Sequence, residues 1–204
     1  SATVLVQASD FTTENITFEN TTTREDKVQA LAFYVTGDRL AARHCRFLGW
    51  QDTLRADSPK GKSARQYFAD CEIIGHVDFI YAAGTAVFDR CHIEALADGY
   101  ITAASTPETV PFGFVFLDCK ITTGPDVVKG TFLGRPWRPY AAVAFLRCEL
   151  PEKIIPIGWH NWGKAENEKT ARYAEYKNTG PGADISKRVT WAKQLTDEQA
   201  KAYT

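Results

Sequence analysis

No apolar run in this 204-residue chain approaches the roughly 20 residues that cross a bilayer, and no charged start leads into an apolar stretch as in a signal peptide. A surplus of one charge is missing too. Lys and Arg number 24 against 25 Asp and Glu, a formal charge of −1, so nothing in the total attracts nucleic acid or an anionic membrane. Hairpin dipeptides are nearly absent, with Asp98-Gly99 the one case, which weighs against closely spaced antiparallel strands. Cysteine is present but in the wrong arrangement for staples or zinc. Five is an odd number, and no two lie within the short separation of a metal knuckle. His44 and His92 each adjoin a cysteine in what reads as a strand, so their side chains point to the opposite face. No metal or cofactor is expected. At 44% hydrophobic the chain suffices for one domain, residues 1–204. It opens at Ser1 directly in strand-like sequence, Thr3-Val4-Leu5-Val6, as a trimmed piece would.

What is there is a repeat. The segments Arg43-His44-Cys45-Arg46-Phe47, Ala69-Asp70-Cys71-Glu72-Ile73, Asp89-Arg90-Cys91-His92-Ile93, Leu117-Asp118-Cys119-Lys120-Ile121 and Leu146-Arg147-Cys148-Glu149-Leu150 share one pattern. An earlier copy, Glu14-Asn15-Ile16-Thr17-Phe18, carries isoleucine at the cysteine place. Period-two alternation puts each cysteine and the next apolar residue on one face, and a repeated inward face is what the coils of a parallel β-helix require. The expected fold is therefore all-β, a single-stranded parallel β-helix with a buried cysteine ladder. Two stacked sheets of the jelly-roll kind are the competing architecture. Residues 53–65 and 103–111 read as loops between coils. The pattern fades after Leu150, so residues 158–180 are expected to lie across the outside as a cover. Thr196 followed by Glu198 and Gln199 predicts a short helix over 196–203.

Two coils carry an aspartate seven residues after the cysteine: Cys45 with Asp52, and Cys71 with Asp78. Strands of adjacent coils lie about 4.8 Å apart, so these carboxylates become neighbours and their proton affinities are driven apart. One is then suited to attack and the other to donate a proton. The same phase also holds Asp98 and Asp126, but these adjoin Gly99 and Pro125, as turn residues do, whereas Asp52 and Asp78 stand among apolar neighbours. The four histidines, His44, His76, His92 and His160, read as exposed or turn residues. On the residues alone, an acidic pair fits an esterase, a β-helical polysaccharide hydrolase or lyase, or a helix that only binds polymer.

Gly49-Trp50-Gln51-Asp52-Thr53-Leu54, then Val77-Asp78-Phe79-Ile80-Tyr81, then Leu133-Gly134-Arg135-Pro136-Trp137 resemble, in order, signature blocks of the pectin methylesterases. Val28-Gln29-Ala30-Leu31-Ala32 resembles a fourth block, and Tyr173 to Ala183 is also similar. The resemblance implies a right-handed parallel β-helical enzyme that removes methyl groups from pectin, monomeric, without cofactor, metal, nucleic acid or membrane partner. It implies a place outside the cytoplasm: secreted, periplasmic or at the cell surface. It implies Asp78 as nucleophile, Asp52 as acid and base, Gln29 and Gln51 as oxyanion donors and Arg135 as the partner that keeps Asp78 charged. Trp137, Phe79 and Trp50 would contact substrate. Ala82 departs from the pattern, standing where the family usually has glycine. The family's N-terminal coils and extreme C-terminus have no counterpart here.

Overall fold

The computed structural model describes residues 1–204, wound into a right-handed parallel β-helix whose coils visit two sheets in turn. One sheet of eight strands runs Thr12–Glu14, Leu40–Arg43, Arg65–Ala69, Thr85–Asp89, Phe114–Leu117, Ala142–Leu146, Arg172–Tyr176 and Lys193–Gln194. The other, which carries the site, contains Ala2–Val6, Leu31–Val35, Leu54–Ala56, Glu72–Ala82, His92–Ala104 and Lys120–Gly134, with Thr17–Glu19 and Arg46–Leu48 beside them. Every ladder is parallel.

The cysteine segments are corners rather than strands. The residue before each cysteine position has a left-handed backbone: Asn15, His44, Asp70, Arg90, Asp118 and Arg147 all have φ between 50° and 58°. That corner lets the chain leave one sheet, drop a small apolar side chain inward and enter the other, which period-two reasoning cannot foresee. All five cysteines are free and buried, each thiol donating toward a backbone carbonyl. Neighbouring thiols and then burial raise the proton affinities of Cys71 and Cys91, and burial and then the Cys148 thiol raise that of Cys119. Outside, corner charges pair across coils, Asp70 with Arg90 at 3.0 Å and Asp118 with Arg147 at 2.8 Å.

Inside, Phe68, Phe88, Phe116 and Phe145 are in register and stack with centroids 5.0, 4.6 and 4.2 Å apart. The solenoid continues past Leu150, contrary to expectation. Arg172–Tyr176 pairs with Ala142–Leu146, and Trp159 and Tyr173 are fully buried in the core. Aromatic side chains fill the interior there instead of the aliphatic and thiol pattern, so the repeat changes composition without ending. The covering segment begins later, near Pro181. From it Arg188 reaches the interior and pairs with Glu175 at 2.8 Å, both side chains almost wholly buried. Thr196 and Gln199 form a capping box and start the helix Asp197–Ala200, which tightens into a 3-10 turn over Lys201–Tyr203. A helix over Ala165–Thr170 is a further element, and Leu54–Ala56 is a strand within the stretch expected as loop. No helix is long and apolar enough to cross a membrane.

Candidate active site

Leu54 pairs with Ile80, which sets Asp52 opposite Asp78 in consecutive coils, and the Asp52 amide donates to the Val77 carbonyl at 3.1 Å. Both aspartates have left-handed φ, 65° and 52°. These local reversals break the in-out alternation. Thr53 and Phe79 point into the core while the two carboxylates border a cavity of about 360 Å³ on the outside of the sheet. Gln29, Gln51, Arg55, Tyr81, Ala103, Arg135, Trp137 and Trp162 complete its lining.

The two carboxylates have different environments. Arg135 grips Asp78 at two points, Nε to Oδ1 at 2.9 Å and Nη2 to Oδ2 at 2.7 Å. Burial raises the Asp78 carboxyl, and the guanidinium pulls the other way. Burial wins, so the carboxyl lies above its ordinary value, but two donors aimed at two oxygens favour the ionised form over what burial alone would leave. Asp52 has no such clamp. Burial first, and the Asp78 charge second, push its carboxyl up to about 7, against the opposing pull of Tyr81, Arg55 and Gln51. One carboxylate is thus held charged beside another that carries a proton near neutrality.

Aromatic rings fix the arginines. The Arg135 guanidinium lies between Tyr100 and Trp162, 3.8 and 3.7 Å from the two ring centres. Trp162 sits at a left-handed φ of 64°, its amide donating to His160 Nδ1 at 3.1 Å. Arg55 is flanked by Tyr34 at 4.5 Å and Tyr81 at 5.6 Å and pairs with Asp57. Ala82, next to Tyr81, is fully buried at φ 96°, a backbone region that favours glycine. Keeping a methyl group there costs on the order of 1 kcal/mol.

Of the sequence-predicted residues, Asp78, Asp52, Gln29, Gln51, Arg135 and Trp137 converge on this cavity. Phe79 does not: it is fully buried among core residues, on the inward face that it shares by alternation with Cys71 and Ile73. Trp50 also lies outside the lining and rests edge-on against His76, centroids 5.4 Å apart. His76 itself is buried, not exposed, and burial lowers its proton affinity. Asp98 and Asp126, expected in turns, lie instead within the strands His92–Ala104 and Lys120–Gly134, where the register shifts between Ala95 and Gly99, and Asp98 Oδ1 accepts from the Lys129 and Gly130 amides. Arg55, Tyr81, Tyr100 and Trp162 escaped the sequence reading. For two of them a signal existed, since Arg55 and Tyr81 each stand three residues after an aspartate and pair across coils. No group of three or more His, Cys, Asp or Glu side chains is placed to hold a metal ion.

The winding and this pair of unlike carboxylates define a class, the parallel β-helices that carry an acidic pair on an outer sheet face in an aromatic-lined cleft. Within that class the pectinesterase family model matches residues 1–204, and the chain belongs to the pectinesterase family. Pectinesterase 31 of Arabidopsis thaliana is 46% identical over 198 residues, covering 97% of this chain and 60% of its own. The solved pectin methylesterase from carrot superposes with a TM-score of 0.89 at 35% identity, covering 97% of this chain and 64% of that one. The pectin methylesterase from Erwinia chrysanthemi gives 0.82 at 30% identity, over 100% and 70%. The chain therefore spans about 60% of the length of such a curated relative.

Proposed function

We propose that this chain hydrolyses methyl esters of pectin to pectate and methanol, with residues 1–204 acting as one monomeric unit. The observation that carries the reading is the two-point Arg135 grip on Asp78 beside an Asp52 whose carboxyl is pushed up to about 7. Asp78 attacks the ester carbonyl carbon, and the carbonyl electron pair moves onto oxygen, where the Gln29 and Gln51 amides donate hydrogen bonds. The tetrahedral intermediate collapses, the bond to methoxide breaks, and Asp52 gives that oxygen its proton. Asp52, now ionised, takes a proton from water, whose oxygen attacks the acyl carbon and restores Asp78 with release of the free carboxylate. Trp137 offers a ring face to a galacturonate ring. Support for a polymeric ligand comes from a pectin methylesterase solved with a hexasaccharide, to which this chain is 30% identical with a TM-score of 0.84. Pectin is met outside the cytoplasm, so the reading places the protein in a secreted, periplasmic or surface setting.

The test is incubation with highly methylated pectin, following methanol and chain ends together. Wild type should release methanol without new reducing ends or unsaturated product, and Asp78→Asn should lower the rate by at least a thousandfold while remaining folded. Cleavage of the chain instead would favour a glycosidase or lyase reading. Near-full activity of Asp78→Asn would remove Asp78 as nucleophile.

A further inference from the structure

The register of the site-bearing sheet builds an outward row with one residue per coil: Leu5, Tyr34, Arg55, Tyr81 and Ala103. Arg55 is the only charge in that row, held between its two tyrosine neighbours. It lines the cavity of the acidic pair but, unlike Arg135, does not grip either of its aspartates. Asp57 occupies one edge of the guanidinium, with Nε and Nη2 both donating to Oδ2 at 2.9 and 2.7 Å. Nη1 donates to no carboxylate or carbonyl of the protein, the Tyr81 hydroxyl being the polar group beside the guanidinium, and the side chain keeps 32% of its exposure. An arginine whose plane is fixed by stacking and whose far edge donates to no carboxylate is prepared for a planar anion at low ordering cost.

The pectin backbone supplies such anions wherever a galacturonate is unesterified. A methyl ester there offers only a neutral carbonyl acceptor and gains less from Nη1 than a carboxylate does. We propose that Arg55 reads a free carboxylate on a galacturonate next to the reacting ester, so that the site favours esters with an unesterified neighbour. The subsite rests on the pectin reading above for its ligand. A competing role is purely internal, with Arg55 tethering Asp57, whose Oδ1 accepts from the Ser58 amide at the start of the following loop. That role predicts equal damage to every ligand.

Calorimetric titration separates the two. The probes are unesterified hexagalacturonate and its fully methylated counterpart, against wild type, Arg55→Gln and Arg55→Lys, each first checked for a cooperative thermal transition. Loss of one charge-assisted contact weakens binding about tenfold. Arg55→Gln should show that loss with the unesterified oligomer and less than a twofold change with the methylated one. Arg55→Lys should fall between, since it keeps the charge and loses the plane, and it carries the test if the glutamine variant fails to fold. Equal weakening for both oligomers, no weakening, or no binding of the unesterified oligomer by wild type would each overturn the subsite. Methanol release on the same preparations judges the hydrolysis separately. Release with an unselective Arg55 removes only the subsite, and selective binding without release removes only the hydrolysis.

Discussion

At the scale of single residues, the site is a pair of equal carboxylic acids made unequal by what surrounds them. Asp52 has a folded-state proton affinity near 7 against an ordinary 3.8, so its protonated form is favoured by folding. The stability this represents is fully present below pH about 4 and is lost as pH rises through about 7. Asp52→Asn removes that dependence. The variant should match wild type in acid and exceed it at pH 8, by at most about 4 kcal/mol at ~1.4 kcal/mol per unit. Thermal unfolding at pH 4, 6 and 8 reads the difference, and parallel curves for the two proteins would count against the assignment. The same variant should lose methanol release, because an amide cannot pass a proton to methoxide. Arg135→Lys tests the other acid. A lysine keeps one charge but loses the two-point grip and the stacking between Tyr100 and Trp162, so the Asp78 carboxyl should rise further. The acidic limb of the pH–rate profile should then move to higher pH, and an unchanged profile would disconnect Arg135 from Asp78.

At the scale of elements, the unit is a left-handed corner followed by an inward thiol. The corner residues are polar and exposed, and their ion pairs are worth little, about 0–1 kcal/mol each at such exposure. What holds the corner is the backbone ladder, in which Glu72, His92, Lys120 and Glu149 donate to the carbonyls of Cys45, Cys71, Cys91 and Cys119 at 2.8 to 2.9 Å. The thiols are packing groups in that ladder. All five should resist a thiol reagent in the native state and react together only on unfolding, since burial withholds access. Rapid labelling of two or more without denaturant would contradict this packing. The corner also sets where the site can be. It starts Arg46–Leu48 and Glu72–Ala82 at a common level and so brings Asp52 and Asp78, each seven beyond its cysteine, side by side, whereas register shifts after Ala95 carry Asp98 of the next coil out of line.

At the scale of the whole molecule, the solenoid is a stack whose interior must be closed where the phenylalanine ladder stops. Glu175 occupies the position that follows Phe145 in register and is buried to 1% exposure. It accepts from Trp159 Nε1 at 3.1 Å and pairs with Arg188, which also donates to the carbonyls of Pro156 and Gly182. The covering segment thus locks onto the last core layer through one buried, fully bonded ion pair. Removing one partner strands a charge in the core. Arg188→Ala should cost about 3–5 kcal/mol, while a paired replacement by apolar residues of similar volume should recover much of it. Urea unfolding measures both, and a cost of Arg188→Ala below about 1 kcal/mol would place this pair among ordinary surface contacts.

Much of this was legible in the chain because a stacked repeat writes its geometry along the sequence. Equal spacing from a cysteine became equal height in adjacent coils, which is why Asp52 and Asp78 could be paired before any coordinates, and why the β-helix and its thiol ladder could be expected. Local chemistry sufficed for the capping box at Thr196 but not for Asp98, which its Gly99 neighbour marked as a turn residue and which lies in a strand. Tertiary structure decided the rest, for two physical reasons. Backbone reversals at Asp52 and Asp78 send two consecutive side chains inward, Thr53 with Leu54 and Phe79 with Ile80, so Phe79, given a place in the cleft by the family resemblance, belongs to the core. Contacts between coils with no common phase marker, such as Trp162 and Tyr100 closing on Arg135 or Arg188 reaching Glu175, depend on loop paths that no period in the sequence records.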